Sequence, residues 1–224
     1  IYDDPRYQAA AKRGGEFFLL AQMPDPQPGW AHQYTREMHP AWARKFEPPA
    51  ITGSEGQTVM QTLTSLARET GDEKFLKPIP KALAYYKKSQ LPDGRLARFY
   101  ELKTNRPLYF TKNYQLTYEA DDLPTHYGFI VSSKLDRIAR DYQRLLDTDK
   151  TKWKPERRPA KPPKMSADLR QRAQAVIDQL DSRGAWVERG EMKRDDAGHV
   201  KQIIDPRTFR ENVETLAQFL AASK

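Results

Sequence analysis

The sequence predicts a mainly α protein: an α/α toroid, or a large part of one, with short β-hairpin segments. Three observations carry this. Apolar residues recur at helical spacing in successive segments along the chain. Strand-like patterning is confined to a stretch near residue 100 and to a hairpin near the C-terminal end. Finally, a turn pattern repeats: LLAQMPDPQPGWAHQY and YKKSQLPDGRLARFY each run from a helix end through Pro-Asp and Gly into an irregular segment ending in Tyr, with QLDSRGAWVERG a fainter third copy. Helical hairpins that bring such segments to one end build a toroid whose loops gather around a central cleft. Pro-Asp-Gly also simply ends helices, and that explanation stands beside the first.

The elements follow in order. Pro5 to Gln22 reads as a helix with Phe17, Phe18, Leu20 and Ala21 on or near its apolar side, interrupted at Gly14-Gly15; MPDPQPG ends it, because closely spaced prolines cannot continue a helix. The passage Gly29 to Ala50, GWAHQYTREMHPAWARKFEPPA, has neither helical nor strand periodicity. Ser54 with Gln57 forms a capping box for a helix over Glu55 to Thr70, whose Val59, Met60, Leu63, Leu66 and Ala67 make one apolar face. Gly71-Asp72 turns into a helix over Glu73 to Ser89 that Pro78 and Pro80 kink or delay. RLARFYELKTNRPLYF alternates as a short β-ribbon, and Ser132 to Leu146 is amphipathic through Leu135, Ile138, Tyr142 and Leu145. The Pro- and Lys-rich TDKTKWKPERRPAKPPK is a linker or strap. Beyond it come a helix over Ala167 to Leu180, a hairpin over Ala185 to Ile204 around DDAG, and a last helix capped by Asp205 with Pro206 in its first turn. The expected organisation is thus a toroid portion over residues 1–147, a strap over 148–165 and a helix-hairpin-helix segment over 166–224.

Composition narrows the function classes. The net charge of +8 and a pI near 9.5 favour polyanionic partners. The basic residues are mixed with 30 acidic ones except over Lys150 to Lys164, so nucleic acid is the less favoured polyanion. With no cysteine, disulfides, thiolate metal sites and a cysteine nucleophile are excluded. No run approaches the ~18 consecutive apolar residues of a membrane span. The chain opens at Ile1 without an initiator Met, as expected after removal of a signal peptide or as the continuation of a larger protein.

Two constellations carry chemistry. In the first, Trp30, Trp42 and Tyr34 offer aromatic faces for sugar rings, and His32 and Gln33 offer hydrogen bonds to hydroxyls; the competing reading packs the tryptophans into the core. In the second, Arg98, Glu101, Lys103, Asn105 and Arg106 lie beside Tyr100. Arginine forks suit two-point contacts with carboxylates, and an Arg98–Glu101 structural ion pair is the alternative. Zinc spacing such as His-Glu-x-x-His, a Gly-x-Ser-x-Gly elbow and a P-loop are all missing from the sequence.

WAHQY, HPAWARKFEPPAITGSE and LARFYELKTNRPLYF together resemble polysaccharide lyase family 10, the pectate lyases built on an (α/α)3 toroid. The matching positions are Trp30, Gln33, Tyr34, Pro40, Ala43, Arg44, Phe46, Glu47, Pro49, Gly53 and Glu55, then Arg98 to Glu101 and Thr104 to Pro107. The resemblance covers roughly Ile1 to Phe129. It implies a toroid of the pectate lyase type and cleavage of polygalacturonate, an acidic polysaccharide, by anti β-elimination. A base removes the C5 proton and the C4 oxygen departs, with cations stabilising the enolate-like charge. The family's base is an arginine, and Arg44 is its counterpart; a strong base suits a weak carbon acid, although arginine ordinarily stays protonated. Arg98 and Arg106 would hold substrate carboxylates, and Asn105 and Gln33 would contact hydroxyls or orient neighbours.

Calcium is implied too, but the family's upstream aspartate segment has no counterpart here, and Thr35 stands where many members carry Asp. The chain is therefore expected to correspond to the C-terminal part of a secreted or periplasmic lyase, with the facing wall of the cleft in a further N-terminal half. Two other readings accompany this one: a non-catalytic binder of acidic glycans, and a nucleic-acid or anionic-surface binder acting through Lys150 to Lys164.

Overall fold

In the computed structural model, residues 5–153, 163–191 and 198–223 are described. The chain divides into two compact units, Ile1–Glu156 and Arg157–Lys224. The division falls inside the expected strap, and residues 154–162 of that strap lie outside the described residues.

The first unit opens with helix α1 (Pro5–Ala21) and continues through strand β1 (Ala50–Thr52), helix α2 (Glu55–Thr70), a 3-10 turn (Glu73–Leu76) and helix α3 (Ile79–Lys88). Five short strands follow: β2 (Leu96–Ala97), β3 (Phe99–Glu101), β4 (Pro107–Phe110), β5 (Leu116–Thr117) and β6 (Ile130–Val131). Helix α4 (Leu135–Asp147) and a 3-10 turn (Lys150–Lys152) complete it. Strands β1, β3, β4 and β5 form one antiparallel sheet in that order, with Ile51 opposite Tyr100 and Phe99 opposite Leu108, while β2 pairs with β6. Helix α2 packs on α1, α3, α4 and β1. The core between them holds Trp30, Ile51, Met60, Leu63, Phe75, Tyr86, Phe99, Tyr100, Phe110 and Phe129.

This arrangement overturns the toroid. The fold is a small mixed α/β one, with helices beside small antiparallel sheets. Strands of two to four residues are too short to show alternation, and both faces of the β3 segment are buried: Phe99 and Tyr100 are each covered, so the period-2 signal is lost. The irregular passage before β1 is the edge of this sheet rather than a toroid loop, for Ala31 bridges Ile51.

Local expectations fared unevenly. Helix α1 runs unbroken through Gly14-Gly15, although Leu20 is exposed. Gly15 serves packing instead, since a Cβ there would stand 2.5 Å from the Phe75 ring. The Ser54–Gln57 capping box does not form. Thr52 Oγ1 accepts from the Glu55 and Gly56 amides instead, while Gln57 turns inward to donate to Gly53 O and accept from Lys134 N. Pro78 and Pro80 delay the third helix as expected, and a 3-10 turn fills the gap. Trp153, from the expected strap, is buried and donates through its indole to Thr148 O at 2.9 Å.

The second unit pairs helices α5 (Ala167–Asp178) and α6 (Pro206–Ala222) with a hairpin of β7 (Glu188–Arg189) and β8 (Gln202–Ile203). Ser166 and Asp205 cap the two helices with their side-chain oxygens, the latter as expected. Residues 195–197 of the DDAG turn lie outside the described residues. Among the described residues, no helix is long and apolar enough to cross a membrane.

Candidate functional site

The irregular passage is pegged rather than loose. Thr52 N donates to Trp30 O at 2.8 Å, and the Tyr34 hydroxyl accepts from Ala31 N and donates to Ala21 O at 2.6 Å. Tyr34 bridges Pro40, closing a small excursion that the Gln33 carbonyl braces by accepting from Ala41 N. A tight turn then returns the chain, with Ala43 N donating to Glu47 O and Glu47 N to Arg44 O. The neighbouring wall is placed by Gly53, whose amide donates to Arg98 O at 2.9 Å. Only glycine permits this approach, because a Cβ there would lie 2.2 Å from Ala97 O.

These constraints bring five ionisable side chains from distant sequence positions into one linked cluster with Tyr127. Arg44 and Arg98 sit 5.2 and 4.6 Å from the ring centroid. Arg44 forks onto Glu47, its Nε donating to Oε2 at 2.9 Å and its second arm to Oε1, and the Tyr127 hydroxyl also donates to Oε1, at 2.9 Å. Arg98 donates to Glu55 Oε1 at 2.9 Å and to Gly128 O. His32 lies between the two carboxylates, Nε2 at 3.5 Å from Glu47 and Nδ1 at 3.8 Å from Glu55. His32 Nδ1 and Glu55 Oε2 are buried atoms without a hydrogen-bond partner, just too far apart to satisfy each other.

The electrostatics follow from this placement. The Arg44 fork, with Tyr127 assisting against the cost of burial, holds the Glu47 carboxyl down to about 2. Burial pushes Glu55 up, but His32 and Arg98 outweigh it and keep the group below its usual range. Glu55 above all raises the proton affinity of His32, and Glu47 adds to this against burial and the Arg98 charge. Burial, and then the hydrogen bond to Glu47, push the Tyr127 phenol up to about 12. Glu47 also raises Arg44, the opposite of what a base needs.

The sequence-derived candidates divide between this cluster and the scaffold. His32, Arg44 and Arg98 meet in it. Trp30 is a correction: it is 1% exposed, with its indole donating to Phe18 O at 2.8 Å, so its faces meet core and not sugar. Tyr34 and Tyr100 are likewise structural. Burial raises both phenols, Tyr34 up to about 12, and the Tyr100 hydroxyl donates to Ser89 O at 2.6 Å. Asn105 takes a left-handed turn conformation at φ 60, which asparagine tolerates, and its amide is occupied by Tyr85, Gln27 and Ser89. Arg106 lies over Tyr118, 3.4 Å from the ring centroid, while Glu101 accepts from Tyr118 and Thr104 rather than pairing with Arg98. Gln33 is half-buried in the pegged excursion.

Three participants were not singled out as site residues in the sequence. Glu47 and Glu55 stand inside the quoted motifs, and their charge type was the available signal. Tyr127 carries no local signal, because its role comes from the chain returning beside β3. Trp42, two residues before Arg44 and 53% exposed, is the tryptophan of the passage that does offer a face to solvent, with its edge on Phe110.

Among the described residues no three His, Cys, Asp or Glu side chains are placed to hold a metal ion, and both carboxylates of the cluster already face cations. What the cluster offers is a pair of carboxylate-held cations and an imidazole of raised proton affinity. No family model matches the chain and no curated protein matches it, so the likeness to pectate lyases rests on the residues quoted for it.

Proposed function

We propose that this protein binds an acidic polysaccharide of the polygalacturonate class and cleaves it by anti β-elimination, as a pectate-lyase-like enzyme acting outside the cytoplasm or in the periplasm. The observation that carries the reading is the convergence of Arg44 and Arg98 on the ring of Tyr127, with His32 beside the Glu47 that both Arg44 and Tyr127 bond. A uronate needs its carboxylate neutralised before its C5 proton becomes removable, and the guanidinium groups of Arg44 and Arg98 supply that field to the extent that substrate displaces Glu47 and Glu55 from them. His32, with its raised proton affinity, is suited to give a proton to the departing C4 oxygen. Trp42 offers a stacking face for an adjoining sugar.

Arg44 has two roles open to it. Forked onto Glu47, it is a cation beside the substrate carboxylate, and the C5 proton then leaves to solvent base. The base role carried by the family resemblance requires Glu47 to let it go when substrate binds. An Arg44→Lys variant separates the two. A cation role leaves a substantial fraction of the rate, whereas a base role loses nearly all of it or moves the pH profile.

The persistent Arg44–Glu47 pair also favours a second reading, a non-catalytic binder of acidic glycans. The test is the appearance of unsaturated uronide absorbance on incubation with polygalacturonate, with and without added calcium. Saturable binding without any absorbance rise would establish the binder and end the lyase reading.

A further inference from the structure

A groove of about 510 Å3 lies between α2 and α4, at the other end of α2 from the cluster. On α2 its lining runs from Gln61 to Arg68, about 9 to 20 Å beyond Glu55 at the rise of an α-helix. The groove's charge is lopsided. Arg68, Arg137, Arg144 and Lys152 line it against the single carboxylate of Asp141. Asp141 is shared by Arg137 at 3.7 Å and Arg144 at 3.6 Å; these long contacts involve side chains 72% and 75% exposed, so they neutralise little. Arg68 reaches Glu69 at 3.5 Å, again between exposed side chains.

The groove adds neutral hydrogen-bonding groups to its cations. Gln61 and Ser65, one turn apart on α2, present an amide and a hydroxyl beside the cations. The aromatic lining it, Trp153, is 3% exposed, so a nucleobase would find no ring face to stack on. Carboxylates and hydroxyls repeated along a chain fit better than stacked bases.

We infer that the α2–α4 groove is a second binding site for acidic polysaccharide, holding a stretch of uronate chain away from the Tyr127 cluster. The choice of a uronate ligand rests on the acidic-glycan reading above, while the site itself rests on the charge and lining of the groove. Such a site anchors a long polymer while another stretch occupies the cluster, raising the effective concentration of the chain there.

The experiment is calorimetric titration of the full chain with a galacturonate oligosaccharide of fixed length, independent of cleavage. The variants are R137Q/R144Q/K152Q in the groove, R44Q in the cluster, and the two combined. The groove side chains are exposed, and circular dichroism checks that each variant folds. The wild type is expected to bind at two sites, and the groove variant to fill only one over the same concentration range. R44Q should keep groove binding, and the combined variant should weaken it on the order of tenfold, three exposed charge contacts being individually modest.

Unchanged stoichiometry in the groove variant, or equal binding by R44Q and the combined variant, overturns the proposal. A single-stranded oligonucleotide that binds R44Q more tightly than the oligosaccharide, and is lost from the combined variant, overturns the sugar assignment in favour of nucleic acid. Failure to cleave polygalacturonate with these binding results intact would end the lyase reading and leave the groove site standing.

Discussion

The two ends of α2 solve opposite electrostatic problems. At its start, Glu47 and Glu55 answer Arg44, Arg98 and His32 almost charge for charge in a partly buried setting. Along its second half, four cations face one carboxylate in the open. Matched charges that are partly withdrawn from water hold one another in place, which suits chemistry needing fixed geometry. Unmatched charges in water hold little structure and are left for a ligand, with salt screening as their signature. The same helix thus carries a preorganised site and a steering surface. Altering the first should cost stability and function, and altering the second should cost binding alone.

The strongest way to break this contrast is Gly56→Ala at the start of α2. The new Cβ would stand 1.9 Å from the hydroxyl oxygen of Tyr86, a fully buried ring that anchors Trp30 N. A loss of about 3 kcal/mol is expected, at the upper end for overpacking, and urea unfolding followed by tryptophan fluorescence measures it.

Arg98→Ala should come next, at about 1–2 kcal/mol, because Glu55 loses its charged partner but keeps some access to water. Arg98→Lys should recover part of this: it restores the charge but not the fork that reaches both Glu55 and Gly128 O.

A smaller effect sharpens the comparison through pH. The Glu47 carboxyl is held at about 2 in the folded protein, below its ordinary value of 4.5, so its contribution is complete above pH 4.5 and lost as pH falls toward 2. His32 has the opposite sign: raised above 6.5, it stabilises fully below pH 6.5 and loses that contribution as pH rises through its folded value. Glu47→Gln should make the acid limb of a plot of Tm against pH shallower, Glu55 and other lowered carboxylates keeping the rest, and lower Tm at neutral pH by about 2–4 °C, the exposed fork of Arg44 limiting the loss. The smallest change belongs to the groove. R137Q/R144Q/K152Q should leave Tm within about 1 °C of wild type, since surface charges outside a network contribute little.

How much of this was legible depended on whether the cause was local. Val59, Met60, Leu63 and Ala67 declare α2 by spacing, and Asp205-Pro206 declares the start of α6. The sheet could not be read that way: Ile51 meets Tyr100 across 49 residues, and nothing in either tripeptide marks its partner. The site followed the same division. The residue types His32, Arg44 and Arg98 named their chemistry, but orientation did not follow from type. Trp30 and Tyr100 resemble recognition aromatics in sequence and are core in space, because the chain around each is pinned by hydrogen bonds from elsewhere. Trp42, read in the same way, is the one that stays exposed. Thr52, rather than Ser54, caps α2 because Ser54 itself takes a helical conformation and leaves the capping position to the preceding turn.

The measurement closest to the central claim follows unsaturated uronide formation from polygalacturonate by wild type, Arg98→Ala and R137Q/R144Q/K152Q at equal concentration. The account predicts a rise in absorbance for wild type, loss of most of that rate in Arg98→Ala with folding retained, and product formation by the groove variant that falls behind only at low polymer concentration. Equal rates for wild type and Arg98→Ala, or no unsaturated product from any of the three, would contradict it.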